Sequence, residues 1–223
     1  MQKFETPAPI ATVLDLPAGL IEFVAADRAD TTVEVLPADA SKGRDVKAAE
    51  RVEVRYADGE LRIEVPGWER QVLGNSGSVR VTVGLPAGSR IEAKAASAEL
   101  RGEGRLGDVE FEAAHATVVL DETGAARLTV QAGDITVGRL GGPAEIGTQA
   151  GDLRVTEAVG GDVTLRTAKG DIEVGAARGV SATLDAGTSY GRIRNDLRNS
   201  EGAGAGLRIS ATTAYGDITA RSL

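Results

Sequence analysis

The feature that most restricts how this chain can fold is a short phrase that recurs every nine or ten residues through its second half. The phrase consists of Gly-Asp, an apolar residue, a polar residue and a second apolar residue. It begins, for example, at Gly151, Gly161 and Gly170. Repetition at a fixed short period is typical of stacked repeat architectures. A sandwich of independent hairpins does not need the same internal register in strand after strand, so the repeat favours a stacked array.

Within each phrase the alternation of apolar and polar residues has the period of a β-strand with one buried face. A strand of about five residues spans about 16 Å, which leaves about four or five residues for a corner. The starts at Gly133, Gly151 and Gly170 lie 18 and 19 residues apart, so two strands with their corners form one coil. We therefore predict a single-chain β-solenoid in which parallel strands stack coil on coil, with Val155 beside Val174.

The first 90 residues lack the phrase but retain the alternation of strands. Asp58-Gly59 suits a tight hairpin turn, and Pro66 and Pro86 each follow a strand and would end its ladder. A further turn is predicted at Gly74–Gly77. We predict an all-β protein with an antiparallel β capping region over residues 1–90 and β-solenoid repeats over residues 91–223, or one continuous domain. Right-handed winding, as in a parallel β-helix, is the default for such connections.

Composition restricts both the core and the chemistry. The chain has 29 Gly, no Cys and only 3 % aromatic residues, so the core is built from small and β-branched side chains without disulfides or a thiol nucleophile. A net charge of −8 disfavours binding to nucleic acid or to an anionic membrane surface. The sequence shows no signal-peptide pattern and no apolar stretch of about 18 residues. We therefore expect a cytoplasmic protein without membrane insertion.

The glycine and the aspartate of the phrase are explained as residues that form the corners of a coil. Glycine permits a positive φ or a close backbone approach, and an aspartate carboxylate can accept hydrogen bonds from corner amides. The residues predicted to form structural corners are Gly107, Gly133, Gly151, Gly161, Gly170, Gly191 and Gly216.

A metal site is the competing explanation for the aspartates. Asp134, Asp152 and Asp171 would stack at one corner, and stacked carboxylates repel each other unless they are neutralised. Calcium-binding β-rolls use similar Gly- and Asp-rich repeats. However, each corner here offers one carboxylate, whereas calcium takes about six to eight oxygens. We expect no cofactor and no metal, and keep these three aspartates as the metal candidates.

Other candidate residues also have structural explanations. His115 is the only His, and no Gly-x-Ser-x-Gly motif accompanies it, so no catalytic triad is predicted. Carboxylates are numerous enough for a glycosidase pair, but aromatic residues that would hold a sugar are few. Tyr190 and Tyr215 precede glycines in related phrases and are expected to pack over the last coil. The basic cluster Arg192, Arg194 and Arg198 is interpreted as part of a solvated face.

The Gly-Asp series resembles the bacterial β-strand-repeat family labelled "putative adhesin", a family of unknown function. The resemblance covers nearly the whole chain, and its soluble actinobacterial type is the most similar. The segments that carry it, besides the Gly-Asp series, are 4–10, 33–39, 56–59, 188–195 and 215–218. The resemblance implies a β-solenoid and an adhesive or envelope-stress role, and it supplies no catalytic residue.

From these observations we predict that the protein is not an enzyme. The favoured function is a structural or interaction module, adhesin-like, whose flat solenoid faces bind a protein partner or another copy of the chain. Two alternatives stay open: a carbohydrate-binding or carbohydrate-active β-helix, and a calcium-stabilised surface adhesin.

Overall fold

The computed structural model of the chain describes residues 1–68 and 77–223. Within these ranges the secondary structure is almost entirely β, with a single α-helix, as the alternation pattern predicts. The chain divides into two compact units, an N-terminal unit Met1–Ala116 and a C-terminal unit Thr117–Leu223. The turn predicted at Gly74–Gly77 lies largely outside the described residues.

The N-terminal unit is organised around one long strand, β2, which has a partner along both edges. β7 pairs with β2 in parallel on one side, and β5 and β6 pair with it in parallel on the other. The elements of this unit are β1 (Gln2–Glu5), β2 (Ala11–Ala26), β3 (Asp30–Pro37), α1 (Gly43–Glu50), β4 (Glu53–Ala57), β5 (Glu60–Glu64), β6 (Val79–Pro86), β7 (Arg90–Arg105) and the first part of β8 (Val109–Thr123).

Antiparallel strands cover the outer side of β5 and β6. β4 pairs with β5, β3 pairs with β6, and β1 pairs with β3, all antiparallel. Asp58 and Gly59 have φ values of 50° and 80°, the left-handed conformation that the tight hairpin between β4 and β5 requires. β2 itself differs from the antiparallel expectation for residues 1–90, because its alternating apolar side chains, Leu14 and Phe23 among them, are buried between two parallel neighbours.

The C-terminal unit consists of rungs, each made of one strand from either face and the corner between them. One face contains the end of β8, then β10 (Ile135–Leu140), β12 (Leu153–Ala158), β14 (Ile172–Ala176), β18 (Ile218–Ser222) and β16 (Ile193–Asp196). The other face contains β9 (Ala126–Ala132), β11 (Ala144–Ala150), β13 (Gly161–Lys169), β17 (Leu207–Tyr215) and β15 (Ala182–Tyr190).

Strand pairing in this unit is parallel and confirms the predicted β-solenoid. Ile135 lies beside Leu153, and Val155 lies beside Val174 on the next rung. The inward side chains are aliphatic, and those of Val137 and Val174 are fully buried. Each buried aliphatic group stabilises the stack by about 1.5–3 kcal/mol.

The order of the rungs in space departs from their order in the sequence. Ile218 of β18 lies beside Ile172 of β14 on one side and beside Ile193 of β16 on the other. β17 lies between β13 and β15 in the same way. The rung of β17 and β18 is therefore inserted between two rungs that precede it in the chain. The rung of β15 and β16, residues 182–196, becomes the outermost one and is called the terminal rung below.

A polar residue at an inward position explains this arrangement. Asn195 lies beside Ala220, in the column that Val155 and Val174 occupy on the rungs below. Burying an unpartnered amide side chain there would cost about 1–3 kcal/mol. On the terminal rung Asn195 is exposed, and its Oδ1 accepts a hydrogen bond from the Leu197 amide at 3.1 Å.

The insertion makes a prediction for hydrogen exchange. Amides of β17 and β18 have neighbouring strands on both sides, so we expect them to exchange at least about tenfold more slowly than those of β15 and β16. Exchange measured by mass spectrometry on peptides from the two rungs tests this expectation. Slower exchange in β15 and β16 than in β17 and β18 would mean that the rungs stack in chain order.

Candidate interaction surface

The corners along one side of the C-terminal unit contain glycines that closely approach the backbone of the neighbouring rung. A Cβ on Gly170 would overlap the carbonyl oxygen of Gly151, and a Cβ on Gly216 would overlap that of Gly170. Both have φ near +150°, a conformation that L side chains rarely adopt. Gly133 shares the positive φ, and a Cβ on Gly191 would overlap the Gly216 carbonyl. Five of the predicted corner glycines thus form one column.

The two remaining predicted corners lie elsewhere. Gly161 has φ +88° and begins β13 on the opposite face, close to the backbone of Pro143. Gly107 belongs to the N-terminal unit, where a Cβ would collide with the carbonyl oxygen of Gly88. Both positions therefore combine a glycine with close backbone approach, although not in the same column.

The aspartates that follow the column form a continuous hydrogen-bonded series, the aspartate ladder. Asp134 Oδ1 accepts a hydrogen bond from the Asp152 amide, and Asp152 Oδ1 accepts one from the Asp171 amide, both at 2.8 Å. Asp171 Oδ1 accepts from the Asp217 amide at 2.7 Å. Asp217 Oδ1 accepts from the Arg192 amide at 2.9 Å. The ladder follows the spatial order of the rungs and ends at the terminal rung.

Arg192 stands where the other corners of the column carry aspartate. Its Nη2 lies 2.7 Å from Asp217 Oδ2, and its Nε donates to the same oxygen at 3.2 Å. The hydrogen bond from the Arg192 side chain, followed by that from its backbone amide, holds the pKa of Asp217 below its usual range. The ladder therefore ends on a cation, and no further carboxylate is presented beyond it.

The ladder accounts for the three aspartates kept as metal candidates. Asp134, Asp152 and Asp171 each direct Oδ1 at the amide of the next corner. In residues 1–68 and 77–223, no group of three or more Asp, Glu, His or Cys side chains is arranged to hold a metal ion. What the geometry shows for these carboxylates is hydrogen bonding from rung to rung.

The terminal rung leaves the end of the core uncovered. β15 pairs only with β17 and β16 only with β18 among the strands that the structure describes. Ile193 is 46 % exposed. In the same inward column, Ile218 on the neighbouring rung is 0 % exposed, and Ile172 one rung further into the stack is 1 % exposed. Leu184 on β15 is likewise only half-buried. Apolar side chains therefore meet solvent along both strands.

The loop after the terminal rung shields only its beginning. The carbonyl of Arg198 accepts a hydrogen bond from the Ala182 amide at 3.1 Å, and Ala182 is buried. Ser181 Oγ accepts hydrogen bonds from the Ser200 and Glu201 amides, both at 3.2 Å. The outer side from Leu184 onward has no such cover in the described residues.

Two tyrosines stack on each other beside this rung. The rings of Tyr190 and Tyr215 lie 4.9 Å apart with an interplanar angle of 4°. They are 68 % and 58 % exposed. The expectation that they pack over the last coil is therefore wrong, because each tyrosine is the last residue of its strand, at the corner, where its ring is exposed to solvent. Tyr190 presents its ring at the outermost level of the stack.

The flat faces carry charges that pair between neighbouring rungs. Arg154 Nη2 lies 2.9 Å from Glu173 Oε2, and Arg127 lies 3.6 Å from Glu145. Arg139 pairs with Glu157 in the same way. These partners are opposite each other in the strand register. Exposed pairs of this kind contribute about 1 kcal/mol or less, but they neutralise the faces locally.

An open groove of about 430 Å³ crosses β9, β11 and β13. Its lining includes Arg127, Glu145, Asp162 and Arg166, and no aromatic residue lines it. Asp162 is hydrogen-bonded to Arg208 at 2.6 Å, and that bond lowers its pKa. This groove therefore lacks the aromatic platform expected of a carbohydrate site.

His115 and Trp68 both belong to the N-terminal unit. His115 is exposed on β8, in the N-terminal unit. Trp68, also in that unit, donates a hydrogen bond from Nε1 to Asp15 Oδ1 at 2.7 Å. No helix in the described ranges is both long and apolar enough to span a bilayer.

Comparison with known proteins gives one family and several structures of similar fold. The family model described as "Toastrack DUF4097" matches residues 14–222. No curated protein is detectably similar in sequence. A structure described as a "putative adhesin" from Bacteroides fragilis NCTC 9343 shares 14 % identity with a TM-score of 0.60, over 100 % of this chain and 95 % of that chain. That likeness establishes a shared fold.

Two further structures are similar at lower scores. A "putative adhesin" from Parabacteroides distasonis ATCC 8503 shares 13 % identity with a TM-score of 0.44, over 100 % of this chain and 95 % of that chain. A "putative lipid binding protein" from the same strain shares 11 % identity with a TM-score of 0.47, over 98 % of this chain and 95 % of that chain.

The glycine column predicts a position-dependent cost of adding a methyl group. Gly170→Ala forces a Cβ onto the Gly151 carbonyl at a positive φ, and we expect it to lower the free energy of unfolding by about 2–4 kcal/mol. Gly147→Ala, whose Cβ meets only an ordinary contact, is the matched control. Urea denaturation measures both variants, and equal costs would contradict the close-approach argument.

The end of the aspartate ladder predicts a pH effect. Because Arg192 lowers the pKa of Asp217 in the folded state, this carboxylate stabilises the fold above about pH 4, where an unfolded Asp is ionised. That contribution is lost as the pH falls through the lowered pKa. Carboxyl ¹³C NMR titration should show the pKa of Asp217 rising in Arg192→Gln and rising less in Arg194→Gln. An unchanged pKa in Arg192→Gln would refute the assignment.

Proposed function

The chain belongs to the Toastrack DUF4097 family, and we propose that it is a non-catalytic interaction module whose terminal rung accepts a β-strand from a protein partner. The family resemblance carried by the Gly-Asp series is confirmed by the match over residues 14–222. The Bacteroides fragilis protein of similar fold is described as a "putative adhesin", and the role proposed here is of the same broad class, binding.

The observation that carries the proposal is the exposed inward column at the terminal rung. Ile193 is 46 % exposed at a position where Ile218, on the rung beneath, is 0 % exposed. Repeat arrays normally cover such an end with a polar cap. An edge strand with unpaired backbone groups is also a template for the addition of another strand. One added strand would both pair with the backbone groups of this edge and shield Ile193 from solvent.

The flat faces offer less to a partner. Their arginines and glutamates are already paired between rungs, as Arg154 is with Glu173. A partner that displaced such a pair would have to supply a new opposite charge for each of its two members. The binding surface proposed here is therefore the edge, not the flat faces favoured by the sequence.

Four carboxylates of the C-terminal unit have structural hydrogen-bond partners, which supports a structural use for them. Asp134, Asp152 and Asp171 accept hydrogen bonds from backbone amides, and Asp162 pairs with Arg208. The cytoplasmic location expected from the sequence stays a prediction, as does the absence of catalysis.

Photo-crosslinking in the cells that naturally make the protein tests the proposed surface. A photo-reactive phenylalanine analogue in place of Ile193 should yield covalent adducts with protein, because its ring would lie against the added strand. The same analogue in place of Val119, which is 42 % exposed on β8 in the C-terminal unit, is the matched control. Adducts are expected from position 193 and not from position 119.

Mass spectrometry of the adducts decides the outcome. Protein adducts at position 193 that disappear when Tyr190 is also replaced by Asp would support the terminal rung as the binding surface. No adduct at position 193, or equal adducts at both positions, would overturn the proposal.

A further inference from the structure

We propose that the strand received by the terminal rung comes from a second copy of this chain. The two terminal rungs would pair antiparallel, with β15 of one copy beside β16 of the other. This inference rests on the proposed function of the terminal rung. A second copy can be distinguished from an unrelated protein by one requirement. A symmetric pair needs a surface that is complementary to itself.

The charge of the terminal rung meets that requirement. Its residues include two acids, Asp185 and Asp196, and two bases, Arg192 and Arg194, so its net charge is zero in a chain of net charge −8. Two acidic molecules repel each other in general. A neutral patch with both signs of charge is the part of the surface where two copies can approach with the least repulsion.

The inward positions also allow the pairing. Leu184 and Ala186 face inward on β15, in register with the buried Ile209 and Ala211 of β17. Ile193 faces inward on β16, in register with the buried Ile218. A two-fold axis near the corner between β15 and β16 exchanges the two strands and keeps both inward sides aligned. The apolar side chains of each copy would then cover those of the other.

One register brings opposite charges together. When Ile193 lies opposite Ala186 of the second copy, Arg194 lies opposite Asp185 of the second copy, and symmetry forms this pair twice. Neither side chain forms a salt bridge in the described part of the chain, although Arg194 also acts on Asp217 through its charge. In the same register the axis passes between Ser189 and Tyr190, so the two Tyr190 rings approach each other. Aromatic pairs of this kind stabilise an interface beyond the area they bury.

The end of the aspartate ladder argues against head-to-tail growth. Within the unit, each corner carboxylate of the ladder receives the amide of the next rung, as Asp171 receives that of Asp217. The terminal corner carries Arg192 at this position, and its guanidinium is bonded to Asp217. A further rung added in the same orientation would find no carboxylate for its corner amide. Two-fold pairing does not need one.

Sedimentation equilibrium on the full chain and on charge-reversal variants tests the inference. The wild-type protein should pass from the mass of one chain to that of two as its concentration rises. Asp185→Arg and Arg194→Asp should each weaken this association by about tenfold or more, because each places two like charges opposite each other. Arg166→Asp, the same charge change on the exposed side of β13, should leave it unaltered.

Mixing the two reversed variants provides the sharper result. Asp185→Arg pairs two arginines of one chain with two aspartates of the Arg194→Asp chain, so an equimolar mixture should recover the two-chain mass that neither variant reaches alone. Circular dichroism confirms that each variant is folded. A wild-type protein of one-chain mass throughout, or a mixture that fails to associate, would overturn the second-copy inference.

The crosslinking and sedimentation results separate the two proposals. Adducts at position 193 whose mass equals that of two copies of this chain support both proposals. Adducts with a different protein, together with a one-chain mass in sedimentation, overturn the second copy and leave the proposed function intact. The absence of any adduct at position 193 overturns the proposed function itself.

Discussion

Parallel pairing between neighbouring rungs is the interaction on which the rest of this structure depends. A single rung buries too few aliphatic side chains to offset the conformational entropy lost by about 19 ordered residues, so rungs are stable only beside other rungs. The glycine column allows the backbones to approach closely enough for that pairing, and the aspartate ladder supplies hydrogen-bond acceptors at each corner. The need for a neighbour is also the reason why we propose the end of the stack as the binding surface.

The regular part of the fold was predictable because its determinants are local. The spacing of the Gly-Asp phrases sets the length of a coil, and it placed Val155 beside Val174 as the structure does. The insertion of β17 and β18 was not predicted, because a repeated phrase specifies how a rung pairs but not with which copy. The sequence did contain one relevant signal, the polar Asn195 at a position where the other rungs have Leu, Val or Ala. The parallel pairing of β2 escaped prediction for the related reason that its partners are distant in the chain and carry no shared motif.

The candidate surface was predictable only in its parts. Three of its residues stand out in the sequence. The sequence predicts that Tyr190 packs over the last coil and that Arg192 and Arg194 belong to a solvated face. Ile193 stands two residues after a corner glycine, as the buried Ile172 and Ile218 do, so its exposure depends on the spatial order of the rungs. Arg192 in place of the corner aspartate was the strongest local indication that the series ends there.

The inserted rung also restricts the order in which the rungs can assemble. Residues 207–222 are synthesised after both rungs between which they lie, so the terminal rung cannot take its final place until they are available. Until then, the aliphatic edge formed by β13 and β14 has no neighbouring rung on that side. A chain that ended before residue 207 would leave the edge of β13 and β14 without the neighbour that a rung of this kind needs.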